Sequence, residues 1–329
     1  MRPFNYSRAT DAAAAVNAVA GNKEAKFLAG GTNILDLMKE GVENPSALVD
    51  VLRLNLSQIR ELKGGVSIGA LARNTDTANH PIIRQNYPLL SQAILAGASG
   101  QIRNMATNGG NLMQRTRCQY FYDTAMPCNK REPGTGCGAR EGINRIHAIL
   151  GYSEQCVATY PGDMANALYA LEAVVRVRGI NGQERIIPIN DFHRLPGDQP
   201  EKDNNLAHGE LITAIELPKS PFAAKSYYLK VRDRASYAFA LVSVAAALEM
   251  SGDKIKSARV VLGSVAHKPW RSSEAEAVLT GGKADEKTFR QAAEAALKDA
   301  KPLKHNAYKV ELGRRAIVRA LERAMNGVA

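Results

Sequence analysis

Four cysteines, Cys118, Cys128, Cys137 and Cys156, are the only thiols in this chain of 329 residues. Nine, eight and eighteen residues separate successive members. That spacing is neither the paired C-x-x-C of a zinc ribbon nor a ferredoxin run. Three chemistries use four thiols. Two disulfides suit an exported protein, a four-cysteine zinc site staples a loop, and a four-thiolate iron–sulfur cluster carries electrons. Arg115, Arg117, Lys130, Arg131, Arg140 and Arg145 lie among the cysteines. Cations beside a four-thiolate centre raise its potential, although for most of these six a solvated surface is the simpler reading. His147 is a candidate ligand, with a surface or neighbouring role as the simpler alternative.

Two glycine turns carry a second chemistry. Ala29-Gly30-Gly31-Thr32-Asn33 follows the strand-like Lys26-Phe27-Leu28 and opens a helical turn over 34–39. Ala106-Thr107-Asn108-Gly109-Gly110-Asn111 repeats the pattern. Paired glycines admit positive φ and close approach, so several backbone N–H groups can converge on an anion. Neither turn matches G-x-G-x-x-G or the P-loop. Alone, each is an ordinary tight turn; as a pair they could grip the two ends of a pyrophosphate. Asp11, Asp36 and Asp50 form no acid/base pair, and no Ser–His–Asp arrangement is evident.

Elements must position these residues. The patterning predicts helices over 10–20 (Thr10 as N-cap), 87–96, 163–171, 286–299 and 308–326. It predicts strands over 26–28, 47–52, 66–71, 173–178, 184–188, 211–217, 225–232, 240–249 and 255–264. Residues 112–160 hold all four cysteines, Pro127, Pro133 and five glycines, without sustained period. They read as a long ordered loop, which a compact domain keeps only if it is functional or stapled. The stretch 195–204 reads as an exposed loop. Scattered tyrosines and methionines and Trp270 read as core. Mixed strands and helices with a boundary near 218–221 make an α+β architecture with a separate C-terminal domain.

Composition removes several classes of function. Hydrophobic residues at 45% and charged residues at 23% fit a globular chain. No apolar run of about 18 residues exists to span a membrane. The interrupted, amphipathic N-terminus predicts a chain without an export signal of its own. The net charge of +11 is scattered, and its densest run, Lys230-Val231-Arg232-Asp233-Arg234, includes an acid. Nucleic-acid binding is not indicated.

Lys26 to Asn33, Gln101-Ile102-Arg103-Asn104-Met105-Ala106-Thr107-Asn108-Gly109-Gly110-Asn111-Leu112, and Gly162-Asp163-Met164-Ala165-Asn166-Ala167-Leu168 resemble the FAD-binding signatures of the molybdenum hydroxylase flavoprotein subunits. Tyr228-Leu229-Lys230-Val231-Arg232 and Ala240 to Ala245 resemble the start of that family's C-terminal domain. The resemblance implies the family's two-subdomain FAD-binding fold over 1–218 (about 1–58 and 59–218, with a cysteine-bearing insertion at about 113–160). A domain like that of the CO-dehydrogenase flavoprotein would follow over 219–329. It implies that Lys26, Phe27, Leu28, Ala29, Gly30, Gly31, Thr32, Asn33 and Ile34 wrap the FAD pyrophosphate. Ala106, Thr107, Gly110 and Asn111 would hold it from the other side. Asp163 would accept hydrogen bonds from FAD hydroxyls, Ile212 would pack on the isoalloxazine, and Lys230 would stand near its polar edge. A plain core strand for Ile212 and a solvated charge for Lys230 remain equal alternatives. Asn108 departs from the family, which has an aliphatic residue there. Leu95 to Gly100 lacks the aromatic that stacks on the flavin in animal xanthine oxidoreductases, so an NAD site does not carry over.

Most of the family lacks the insertion, but the flavoprotein of 4-hydroxybenzoyl-CoA reductase has one that holds a 4Fe-4S cluster. By that resemblance Cys118, Cys128, Cys137 and Cys156 ligate a 4Fe-4S cluster near the flavin, ahead of zinc, with disulfides third. The chain resembles in particular the FAD and iron–sulfur subunits of bacterial three-subunit aldehyde oxidoreductases. That implies a heterotrimer with a molybdenum-cofactor-binding large subunit and a 2Fe-2S small subunit. Electrons would reach an external acceptor through FAD, and this chain would carry no catalytic residue for aldehyde oxidation. A partner's twin-arginine signal would place the complex in the periplasm; a cytoplasmic location fits equally. The rival expectation is a stand-alone flavin oxidase with a four-cysteine zinc site, and a scaffold with an empty flavin site is a third.

Overall fold

Short apolar runs punctuated by glycine and proline make short strands. In the computed structural model, which describes residues 1–327, twelve strands form three sheets. The first sheet holds β1 (Asn5–Arg8), β2 (Ala25–Leu28) and β3 (Ala47–Asp50), all parallel, in the order β1-β3-β2. A parallel crossover needs a helix, and Ala12–Ala20 supplies it, burying Ala15, Val16 and Val19. Asp11 caps this helix, not Thr10: the Asp11 carboxylate accepts from the Ala14 N–H at 2.9 Å.

The second sheet is antiparallel, β4 (Ile59–Leu62), β5 (Gly65–Gly69), β6 (Val174–Arg178), β7 (Glu184–Pro188) and β8 (Leu211–Pro218), in the order β4-β5-β8-β6-β7. Along β6, Val175 and Val177 point inward while the intervening arginines stay half-buried. The helix Asp163–Ala170 is buried along its whole length. It packs on β10 and β11 of the third sheet, which runs β12 (Trp270–Arg271), β11 (Lys254–Gly263), β10 (Val242–Ser251), β9 (Ser226–Val231), and shares one core with the second sheet. β10 alternates between two cores. Val244, Ala246 and Leu248 join the C-terminal helices Ser273–Leu279, Glu286–Ala296 and Tyr308–Asn326, whereas Ala245 and Ala247 face the core of the second sheet. Trp270 is partly buried against the C-terminal core.

The α+β expectation holds, and the predicted elements are present within a few residues at their ends. The strand β1, exposed at every position, and the short helices Asn74–Asn79 and Pro81–Asn86 lie outside the expectations. None of them carries a long apolar period.

Residues 113–160 form the expected ordered loop, with helical turns at Gln119–Tyr122 and Gly138–Glu141 and β-bridges pairing Cys128 with Cys137 and Ser153 with Cys156. Side chains replace the missing ladder. The Asn129 amide oxygen accepts from the N–H groups of Gly134 and Gly136, and Arg131 donates to the Tyr120 and Phe121 carbonyls, each at 2.9 Å. The stretch 195–204 is exposed only in part: Leu195, Gly197, Asp198 and Lys202 face solvent, while Pro196 and Pro200 are buried and the stretch lies against the insertion. Ser153 Oγ donates to the Gly197 carbonyl at 2.6 Å and Lys130 Nζ to that of Pro200 at 2.8 Å.

Lys309 fastens the other end. It is fully buried in the last helix and donates to the carbonyls of Ile146, His147 and Ser264 at 3.3, 2.9 and 2.6 Å. Burial, with repulsion from Arg145 second, brings its pKa down to about 7. Lys309→Met strips donors from buried carbonyls and should cost roughly 2–4 kcal/mol, read as a lower thermal midpoint. The folded chain releases this proton at lower pH than the unfolded chain. Stability attributable to Lys309 therefore rises from about pH 7 towards its ordinary pKa of 10.5. The midpoint gap between the two chains should widen over that window.

Candidate functional site

A cleft of about 610 Å³ opens between the first sheet and β8. Its floor is made where the two glycine turns touch. A Cβ on Gly30 would lie 2.1 Å from the Met105 carbonyl oxygen, so only glycine permits the approach. Gly31 has φ +72°, the left-handed region that favours glycine. Opposite, the Thr107 hydroxyl accepts from the Gly110 N–H and caps the short helix Asn108–Leu112. The N–H groups of the second turn are already taken, Asn108 by the Ala72 carbonyl, Gly109 by that of Ala70 and Gly110 by Thr107, so backbone donors for an anion have to come from the first turn.

Of the residues expected here, Lys26, Phe27, Ala29, Gly30, Gly31, Thr32, Asn33, Ile34, Thr107, Gly110 and Ile212 line the cleft. Leu28, Ala106 and Asn111 do not. The Ala106 carbonyl accepts from the Asn74 N–H, and the Asn111 amide donates to Asn74 at 2.8 Å, so these two are committed to the scaffold. Asn108 is buried in the same network. It accepts from the Asn74 amide at 2.9 Å and donates to Thr77 Oγ1 at 2.8 Å. Partnered amides replace the family's aliphatic contact there without an unsatisfied polar group.

Asp163 and Lys230 also lie outside the cleft lining. Lys230 Nζ donates to Asp163 Oδ2 at 2.7 Å and to the Ala96 carbonyl at 3.1 Å, and the Tyr228 hydroxyl donates to Asp163 Oδ1 at 2.7 Å. Lys230 is therefore buried, not a solvated charge, and the pair ties the helix Asp163–Ala170 to β9.

Several lining residues have no local sequence signal. Glu43 takes Lys26 and Arg115 at 2.6 Å each, and Arg115 Nε donates to Asp203 at 2.8 Å. Burial raises the Asp203 pKa, but Lys130 and then Arg115 outweigh it and hold the carboxyl well below the usual range. The Arg115 N–H donates to Asn33 Oδ1 at 3.0 Å, so the insertion begins hydrogen-bonded to the first glycine turn. The Asn33 amide nitrogen is buried without a partner.

All four cysteines line one small cavity, with Phe121, Asn129, Lys130 and Ala158 among its walls. All are free thiols; three are buried and Cys137 is half-buried. Burial pushes the Cys118 thiol up to about 12 and Cys156 to about 11. Alone they stay protonated; a bound metal reverses that balance. His147 Nε2 lies 3.1 Å from Cys118 Sγ, and burial, then Lys309, brings this histidine down to about 4. Among the described residues no group of three or more His, Cys, Asp or Glu is gathered to hold a metal ion.

Residues 2–220 match the model of the FAD binding domain in molybdopterin dehydrogenase, and residues 227–324 the CO dehydrogenase flavoprotein C-terminal domain. The chain belongs to the FAD-binding subunits of the molybdenum hydroxylase family. Aldehyde oxidoreductase FAD-binding subunit PaoB of Escherichia coli (strain K12) is 49% identical, over 98% of this chain and 99% of that one. Glyceraldehyde dehydrogenase medium chain of Sulfolobus acidocaldarius is 30% identical over 85% and 82%. The structure of reconstituted CO dehydrogenase from Oligotropha carboxidovorans superposes with a TM-score of 0.78 at 26% identity, over 99% of both chains.

As a flavoprotein subunit of this family, the chain is part of an oxidoreductase that binds FAD. Its cleft fits that cofactor: the Gly30 cradle excludes any Cβ, and the unpartnered Asn33 amide offers a donor. Gly30→Ala should push the two turns apart and weaken FAD retention at least about tenfold, a loss of roughly 1.4 kcal/mol or more. Flavin fluorescence released on dilution measures this, with circular dichroism as the control for folding.

Proposed function

We propose that this chain is the electron-transfer subunit of a molybdenum-dependent aldehyde oxidoreductase. In this reading it holds FAD in the glycine cleft and a 4Fe-4S cluster in the thiol cavity. Its partners are a molybdenum-cofactor-binding large subunit and a 2Fe-2S small subunit in a heterotrimer, exported folded to the periplasm on a partner's signal. The observation that carries the reading is the thiol cavity: four cysteines spread along the insertion line a single space beside the cleft. Four cysteines on one cavity are the donor set of an iron–sulfur cluster or of a zinc ion, and membership of an electron-transferring flavoprotein family favours the cluster. The similarity to an aldehyde oxidoreductase subunit along nearly the whole chain supports the aldehyde.

Bound FAD supplies exchange of electrons between iron–sulfur centres and an external acceptor. The chain's own residues bind and shield it. Lys26, Phe27 and Ala29 to Ile34 would hold the pyrophosphate, with Thr107 and Gly110 lining the opposite wall, and Ile212 would offer an apolar face to the ring. Asp163, held by Lys230 and Tyr228 outside the cleft lining, would accept from FAD hydroxyls through its remaining lone pairs. Cys118, Cys128, Cys137 and Cys156 supply the thiolates.

Purification of the complex tests this. Four irons and four sulfides per chain, one FAD, and copurifying molybdenum and 2Fe-2S subunits are expected. Stoichiometric zinc without iron would sink the cluster, and absence of flavin would sink the whole reading. Cys128→Ser should remove the broad visible absorbance of the iron–sulfur thiolates and leave the flavin bands.

A further inference from the structure

Lys130 turns its ammonium into the protein. It stands two positions after Cys128, is 2% exposed, and lines the thiol cavity. Its Nζ donates to the Pro200 carbonyl at 2.8 Å, meets His267 Nε2 at 2.8 Å, and pairs with Asp203. His267 Nδ1 lies 3.0 Å from the Arg194 carbonyl, so the tautomer that donates there leaves Nε2 free to accept from Lys130. Asp203 takes Arg115, Arg115 takes Glu43, and Glu43 takes Lys26. The last four line the cleft, and Lys130 lines the thiol cavity. One line of charges, alternating in sign, therefore joins the two sites and ends in a cation at each.

A buried cation held by a carbonyl, an imidazole and a carboxylate cannot turn to water, and in a low-dielectric interior its field acts strongly over short distances. We infer that Lys130 is a positioning residue that sets the reduction potential of the four-thiolate centre, with Asp203 as the counter-charge that moderates it. This rests on the cluster reading above. A fixed positive charge stabilises the state holding one more electron, so Lys130 raises the potential. Asp203 opposes it.

The complex is purified as wild type, Lys130→Gln and Asp203→Asn. Each is assayed for iron, sulfide and FAD and titrated with dithionite against redox mediators under electron paramagnetic resonance. Lys130→Gln should keep iron and flavin. At a fixed potential its ratio of reduced to oxidised centre should fall about tenfold, which is about 59 mV for one electron. Asp203→Asn, which leaves the lysine uncompensated, should raise that ratio. Opposite signs are the signature, because general disturbance of the loop would move both the same way. If Lys130→Gln loses its iron, Asp203→Asn alone decides. Unchanged ratios, shifts of the same sign, or loss of iron in both variants overturn the inference and leave the cluster reading standing. A wild type without iron and sulfide removes the cluster reading and this inference with it.

Discussion

The contact between Gly30 and the Met105 carbonyl is the constraint on which the rest of the molecule turns. Two segments some seventy residues apart must bring backbone against backbone, since a methyl group would already overlap. Each segment therefore has to arrive at a fixed height. The first leaves β2, which is held by parallel pairing to β3. The second lies over β8, where a Cβ on Gly109 would stand 3.2 Å from Ala70 and 3.6 Å from Ile212. Neither sheet makes the cleft; the cleft is what remains when both turns are seated.

Electrostatics does for the cysteine insertion what packing does for the turns. A long segment without sheet or long helix cannot satisfy its own backbone, so side chains do it: Arg131, Asn129 and Lys309 between them bond at least seven backbone groups of residues 120–147. Arg115, Lys130 and Asp203 then bind the segment to the 195–204 stretch and to the cleft wall. A buried pair of this kind contributes little net stability over an apolar alternative, yet removing one partner costs roughly 3–5 kcal/mol. That asymmetry suits a feature whose value is placement.

Much of this was legible in the sequence. The glycine turns, the amphipathic last helix and the valine–arginine alternation of β6 each carry a local rule that the fold obeys. The gathering of the four irregularly spaced cysteines was expected from a family resemblance and not from their spacing. What escaped was non-local. Glu43, Arg115 and Asp203 meet across 72 and 88 residues of chain, and no spacing announces such a meeting. Polarity misled in part at the Pro/Gly/Asp-rich stretch 195–204, which looked solvent-facing because its composition is that of a loop, whereas some of its carbonyls and Asp203 serve the insertion. For Lys230 a place at the flavin edge and a solvated charge weighed equally, and the solvated reading falls because Asp163 and the Ala96 carbonyl hold its side chain buried.

The alternation of β10 between two cores has a consequence for how the chain behaves as parts. Two family models meet near residue 220, and the connection there looks like a seam at which one module ends and the next begins. Ala245 and Ala247 nevertheless belong to the core of the FAD-binding half, while their neighbours in the same strand belong to the C-terminal half. Cutting at the seam would expose one face of β10 and uncover the helix Asp163–Ala170 together. The two halves are thus separate in pattern but share a strand between their cores, so the boundary that divides them in sequence does not divide their packing.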